Sequence, residues 1–280
     1  MDLHSGLPYW IIRNSLWDYF HPLEKDLSTD VVIVGSGITG ALMAHELCHA
    51  GIKCCIVDKR SIATGSSAAS TALLQYEIDV PLCRMAKIIG EENAATAYHA
   101  CLQSISDIKR VLEETGVNAG FEQLPSLFYA SSAADNKLLE QEHEIRQKHK
   151  LPVNLLEKKK IREEYKVKTP GNALINEASA QMDAYRAATG LLAYHIKESG
   201  LKVFTHTSIK ECIETSDGCI MTTDRGHKIK CGYVIIATGF EAGQFLPQKI
   251  MDLTSTYALV SHPVASEHLW PTHCLIWETA

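Results

Sequence analysis

The residues best placed to do chemistry are three glycines, in Gly35-Ser36-Gly37-Ile38-Thr39-Gly40, directly after the aliphatic run Val31-Val32-Ile33-Val34. A buried strand that ends in G-x-G-x-x-G and opens a helix makes a cradle for a diphosphate. Gly35 allows the tight turn, Gly37 lets a pyrophosphate approach the main chain, and Gly40 lets helix and strand pack closely. Free N–H groups and the positive end of the helix dipole then face the phosphates. Asp58 closes a second apolar run, Cys54-Cys55-Ile56-Val57, at the distance where this fingerprint wants a carboxylate for a ribose hydroxyl. Together these residues predict a dinucleotide site without deciding between NAD and FAD. The alternative is a doubly wound domain with an empty crevice.

Two further stretches point to the same place. Gly65-Ser66-Ser67-Ala68-Ala69-Ser70 is a small-residue loop that passes without Pro or charge into Ala72-Leu73-Leu74, offering N–H donors to phosphate or to a flat ring. Tyr233-Val234-Ile235-Ile236 reads as a buried strand running into Ala237-Thr238-Gly239, and ligands in open α/β sheets sit at strand carboxyl ends. Lys59 and Arg60, after the acid, hint at a 2′-phosphate or are simply solvated.

The elements that must position these residues are legible in outline. Gly51 stops the first helix. Two helices follow between Pro81 and Thr115, and Phe121–Ala130 reads as a short strand pair. A charged helix covers 132–149, with another around Glu157–Tyr165; Ala173–Asn176 and Ala178–Met182 read as two strands. Asp183 is placed to cap a helix over 184–198 that Gly200 ends, and Lys202-Val203-Phe204 is a strand. Strands at 207–213, 219–223 and 228–230, with turns at Asp217-Gly218 and Arg225-Gly226, form a meander. Residues 1–26 carry Tyr9, Trp10, Trp17, Tyr19 and Phe20, and read as an aromatic strap in which Ile11, Ile12, Leu16, Tyr19 and Phe20 share a helical stripe.

A chain of 280 residues that is 46% hydrophobic can bury one large or two modest cores. Its net charge of −6, from 27 Lys and Arg against 33 Asp and Glu, argues against nucleic acid as a partner. The start has no cationic or apolar leader and no 18-residue apolar run occurs, so the expectation is a cytoplasmic protein with no membrane span. The nine cysteines, without C-x-x-C, read as core hydrophobes in a reducing compartment; Cys48, Cys54, Cys55, Cys212, Cys219 and Cys231 are expected in buried segments. No ligand set surrounds any histidine pair, including His143 with His149 and His45 with His49, so no metal is expected.

The βαβ unit with Gly35, Gly37, Gly40 and Asp58, the Ser66–Ser70 loop and the meander closing on Ala237-Thr238-Gly239 resemble the FAD-dependent oxidoreductases of the D-amino-acid oxidase and glycine oxidase family. Pro8-Tyr9-Trp10 and Ala72–Asp79 look like a bacterial branch of unassigned substrate. The resemblance implies an α/β fold: a Rossmann-type FAD-binding domain with parallel central sheet and β-meander at 27–117 and 183–245, and a discontinuous α+β substrate domain at 118–182 and 246–280. It implies that Gly35, Gly37, Ile38, Thr39 and Gly40 meet the pyrophosphate and that Asp58 holds the ribose. Lys59 and Arg60 border the adenine, and Gly65, Ser66, Ser67, Ala68 and Ser70 run along the phosphates toward the flavin. Ile209 then offers main chain to adenine, and Ala237, Thr238 and Gly239 complete the crevice. Family members continue beyond the position of Ala280 to a second glycine-rich segment and keep a substrate-carboxylate arginine there, so a C-terminally truncated chain is expected.

The activity implied is oxidation of a C–N bond in a small amine or amino acid by hydride transfer to flavin N5, with oxygen or an unknown acceptor reoxidising the flavin. A cofactor that carries the chemistry explains why no catalytic triad or carboxylate pair is visible. Tyr257, Trp277 and Glu278 are candidates for the substrate side of the ring, each also readable as a core or sheet residue. The alternatives are an NAD(P)-dependent dehydrogenase and a non-catalytic remnant of the family.

Overall fold

The computed structural model describes residues 3–17, 20–246, 248–249, 252–262, 264–265 and 272–279. In chain order the elements are α1 (Tyr9–Asn14), β1 (Leu27–Val34), α2 (Ile38–His49), β2 (Cys54–Val57), α3 (Ser66–Ala69), β3 (Leu73–Leu74), α4 (Leu82–Ile89), α5 (Glu91–Thr115) and β4 (Glu122–Tyr129). There follow α6 (Asn136–Lys148), β5 (Asn154–Leu156), α7 (Lys158–Lys160), β6 (Ala173–Gln181), α8 (Ala184–Glu198), β7 (Lys202–Phe204), β8 (Ile209–Thr215), β9 (Gly218–Thr223), β10 (Lys228–Ile236) and β11 (Leu275–Glu278). They divide into two compact units: Met1–Thr71, Leu112–Ala119 and Asp183–Leu259 form the first, and Ala72–Val111, Gly120–Met182 and Val260–Ala280 the second. Residues 72–111, expected in the nucleotide part, therefore group with the second unit. The reason is their apolar stripe: Leu82, Ala94, Tyr98 and Ile105 bury against Leu151 and Ala180.

The first unit is built on a six-stranded sheet in the order β7-β2-β1-β10-β9-β8. β1 runs parallel to β2 on one side and to β10 on the other, which explains its aliphatic sequence: Val32 and Ile33 are fully buried. Val32, Val34, Cys55, Val57, Met221, Ile229 and Leu23 form one core cluster. The expected separate strands at 228–230 and 233–236 are one strand, β10, antiparallel to β9 in its first half and parallel to β1 along its length. The second half is less buried than its sequence suggests, with Tyr233 75% exposed. Asp183 caps α8 by accepting from the Arg186 N–H at 2.9 Å, as its position implied.

The N-terminal segment lies on this unit. Trp10 donates to the Ser70 carbonyl at 2.8 Å, Asn14 to Asp183 at 2.6 Å, and the Trp17 N–H to the Tyr185 hydroxyl at 2.9 Å. The helical stripe expected there is not formed: α1 ends at Asn14, Ser15 turns to positive φ, Ile12 and Leu16 face solvent, and Tyr19 lies outside the described residues.

The second unit holds a sheet in the order β11-β4-β6-β3, with β5 also paired to β6. The expected strand pair at 121–130 is the single strand β4; Pro125, which has no N–H to donate, sits where its register against β6 shifts. The two strands expected at 173–182 are likewise the one strand β6. Behind them Arg146 is 1% exposed, its guanidinium 2.7 Å from Glu142 and 3.3 Å from Glu77. Glu142 also accepts from the N–H groups of Leu82 and Cys83 at 2.9 and 2.8 Å, so its carboxylate caps α4. No helix among the described residues is long and apolar enough to cross a membrane.

Candidate functional site

Three segments of the first unit meet at the glycine turn. Gly35 has φ +111, and a Cβ there would be driven into the Ala237 carbonyl; one on Gly40 would meet the Gly35 carbonyl. The turn is therefore glycine-rich partly because the strand-to-helix bend and the end of β10 touch backbone to backbone. Ala237 N–H donates to the Val34 carbonyl at 2.8 Å, which fixes this approach. The second segment arrives through Ser67, whose hydroxyl accepts from the Ile38 N–H at 2.9 Å at the start of α2. A Cβ on Gly37 would lie 3.0 Å from that hydroxyl, so the space in front of the helix is kept open by the missing side chain. Within the small-residue loop, Ser66 to Ala69 form the short helical turn α3.

Two hydroxyls here have lost water without gaining a partner. Ser66 Oγ and Thr238 Oγ1 are buried and make no hydrogen bond within the chain. An orphaned buried hydroxyl costs about 1–3 kcal/mol, and two on converging segments mark a place where a polar ligand belongs. The residues thus fit a diphosphate-bearing cofactor: a cradle a Cβ would fill, a helix N-terminus, and two unused hydroxyls.

Asp58 stands at the end of β2 as expected, and it is already organised. Its Oδ2 accepts from the Ser36 N–H at 2.8 Å and the Ser36 hydroxyl at 2.6 Å, and Oδ1 accepts from the Arg60 N–H at 2.8 Å. A carboxylate has about four acceptor positions, so with three filled about one remains for a ribose hydroxyl. Ser36 is fully buried and also accepts from the Ala63 N–H at 3.3 Å, binding the glycine turn to the loop after β2. Thr207 N–H donates to the Asp58 carbonyl at 2.9 Å, bringing the segment before β8 alongside; Ile209 begins β8 itself and pairs with Thr223.

Lys59 and Arg60 have a partner the sequence did not reveal. Lys59 Nζ lies 2.6 Å from Glu241 Oε1, and Arg60 Nη1 lies 2.8 Å from Glu241 Oε2. Glu241 is 4% exposed, and the Arg60 hydrogen bonds, with help from Lys59, hold its carboxyl down at about 2 against the cost of burial. The N-terminal segment reaches this loop as well: a cavity of about 420 Å³ lined by Leu3, Pro8, Ile11, Lys59, Arg60 and Thr64 lies beneath it.

Of the substrate-side candidates, Tyr257 belongs to the first unit and Trp277 and Glu278 to the second. Trp277 stacks on Phe128 at 3.8 Å and donates to the Ser126 hydroxyl at 2.9 Å, and Glu278 accepts from the Tyr129 hydroxyl at 2.9 Å, so both are placed as sheet residues of the second unit. Tyr257 is 93% exposed on the first unit. All nine cysteines are free; of the six expected in buried segments Cys212 is exposed and Cys48 and Cys219 are half-buried, while burial pushes the Cys54 and Cys55 thiols up to about 12, away from reactivity. His149 does gather acids, Glu91 and Glu92, yet Glu91 already holds Lys148 at 2.6 Å.

A parallel β1-α2-β2 core with its crevice at the strand carboxyl ends, entered by three segments, defines a dinucleotide-dependent α/β protein. The chain belongs to the DAO family of FAD-dependent oxidoreductases, whose family model matches residues 30–279. Among curated proteins it is 23% identical over 83% of its length to YhfW of Bacillus subtilis, named as a Rieske 2Fe-2S iron-sulfur protein, of which it covers 44%. Over 20% of the chain it is 44% identical to 10% of the aerobic glycerol-3-phosphate dehydrogenase of Staphylococcus epidermidis. Among solved structures, glycine oxidase from Geobacillus kaustophilus aligns with a TM-score of 0.66 at 22% identity, over 78% of this chain and 57% of that one. L-proline dehydrogenase from P. horikoshii aligns with a TM-score of 0.65 at 22% identity, over 81% and 58%. At these identities the structures show the fold. The chain spans roughly half the length of the proteins it matches along most of its sequence.

Proposed function

We propose that this chain holds FAD in the crevice of its first unit and contributes it to the oxidation of a C–N bond in a small amine or amino acid. The observation that carries the reading is the convergence of the glycine turn, the Ser66–Ser70 turn and Ala237-Thr238-Gly239 around two unpartnered buried hydroxyls. Gly35, Gly37, Ile38, Thr39 and Gly40 present main chain to the diphosphate, and Asp58 accepts from the ribose. Gly65, Ser66, Ser67, Ala68 and Ser70 lie along the phosphates, Thr238 donates from the opposite wall with Ala237 and Gly239, and Ile209 offers main chain to adenine. Bound FAD would supply the electron sink, taking a hydride from the substrate carbon at N5 and passing electrons to oxygen or another acceptor. The protein's part is to orient the cofactor and exclude water around it.

Two amino-acid-directed names support the substrate class, glycine oxidase and L-proline dehydrogenase, both borne by proteins of the same fold. Against an NADP-dependent dehydrogenase stands the pairing of Lys59 and Arg60 with Glu241. The test is a cofactor extract of the purified chain. A yellow protein releasing FAD near one per chain is expected, and Gly37→Val, whose side chain would intrude on the diphosphate, should lose it. A colourless chain that binds NADH and not FAD overturns the reading.

A further inference from the structure

In dinucleotide folds an acid ending the second strand accepts from the ribose hydroxyls, whereas a neighbouring arginine accommodates a 2′-phosphate. This chain has both kinds of residue in succession, Asp58 and then Lys59 and Arg60. Both cations already hold a carboxylate. Glu241, 182 positions from Lys59 and 181 from Arg60, meets Lys59 Nζ at 2.6 Å and the Arg60 guanidinium at 2.8 and 3.1 Å. Its side chain is 5% exposed, against 38% for Lys59 and 29% for Arg60. The carboxylate is thus the fixed, internal member of the trio. It also lies in the first turn of the short helix Gly239–Phe245, which follows Ala237-Thr238, so the ion pairs connect the returning segment to the turn after β2.

We propose that Glu241 is a specificity-determining and positioning residue of the nucleotide crevice. Its carboxylate occupies, from within the chain, the anion position that Lys59 and Arg60 would otherwise offer to a 2′-phosphate. The adenosine end then presents Asp58 to a ribose with free hydroxyls, as in FAD, and rejects 2′-phosphorylated nucleotides. A 2′-phosphate would have to displace a buried carboxylate and leave it unpaired, which is costly; an unmodified ribose displaces nothing. The same contacts set the returning segment at the height where Thr238 faces the crevice. This inference rests on the proposed FAD site.

The test compares AMP with adenosine 2′,5′-bisphosphate, which differ only in the 2′-phosphate, by calorimetric titration of the flavin-stripped chain, with FAD affinity measured alongside. The unaltered chain should favour AMP by at least about tenfold. Glu241→Gln should shift the ratio toward the bisphosphate by about tenfold or more and weaken FAD severalfold, while Glu241→Asp should keep the original preference. In Glu241→Gln combined with Lys59→Gln and Arg60→Gln the gain should vanish. An unchanged ratio in Glu241→Gln, or a gain that survives the triple change, overturns the proposal. If Glu241→Gln does not fold, Arg60→Gln decides: retained AMP preference with severalfold weaker FAD is expected, and unchanged FAD affinity overturns the positioning role. An unaltered chain that binds neither FAD nor AMP removes the functional reading itself, and this inference with it.

Discussion

Thr238 and Ser66 have hydroxyls that cost stability until something accepts from or donates to them. Thr238→Val keeps the shape and removes the orphan, so the ligand-free chain should melt higher, by a gain on the order of 1 kcal/mol, while FAD binds about tenfold more weakly. A mere packing role would move both in one direction; differential scanning with and without FAD separates them. Glu241 makes a pH prediction. Its folded carboxyl lies near 2 against an ordinary 4.5, so its contribution is complete above about pH 4.5 and is lost as pH falls toward 2. Because its partners are partly solvated, the loss is about 2 kcal/mol rather than the full shift, and acid unfolding of Glu241→Gln should be correspondingly less steep. At this scale the sequence was readable where chemistry is local: three glycines and an acid fall within 24 positions, Gly35 to Asp58. Glu241 was not readable, since nothing near it says which cations 180 residues away it will meet. Ser36 was hidden for another reason: it occupies a variable place in the glycine pattern, and only the fold shows it bonded to Asp58.

Among elements, the α2 and α8 pair carries a buried imidazole contact. His45 Nδ1 lies 3.0 Å from His195 Nε2, and His195 Nδ1 lies 3.0 Å from the Ser199 hydroxyl. Burial, then His45 and His49, hold His195 below its ordinary 6.5, so the folded chain binds fewer protons than the unfolded one there. Stability should therefore be full above about pH 6.5 and fall below it, and His195→Gln should flatten the melting profile between pH 7 and 5. In the second unit, Glu142→Ala leaves buried Arg146 with Glu77 as its remaining carboxylate and uncaps α4, with an expected loss of about 3 kcal/mol in denaturant unfolding. Helices were placed closely from sequence because their stops are local: Gly51, Gly116 and Gly200 all have positive φ just past a helix. Strands were split too often. β10 reads as two because its first half alternates and its second does not, a change of neighbours rather than a break. The strand pair expected at 121–130 is the single strand β4, whose ladder absorbs Pro125 in a register shift.

For the whole molecule, a ligand that binds only the folded state raises its melting temperature in proportion to the logarithm of its concentration. FAD at about a hundredfold over its dissociation constant should add roughly 2.7 kcal/mol. In hydrogen exchange the protection should appear at residues 35–41, 58–70 and 237–241. The division into two units at 72 and 112 was invisible in composition; it follows from which face of α4 and α5 is apolar and what that face meets.

The pairing of β1 with β10, Leu27 opposite Ile229 and Val34 opposite Ile236, joins strands some two hundred residues apart. Most of the chain must therefore leave the ribosome before the first strand finds its second parallel neighbour, and non-local pairing of this kind is slow. During synthesis the glycine turn emerges early but stays without its opposite wall. Cofactor capture then waits for β10, and nascent chains halted short of residue 228 should retain no flavin, however long they wait.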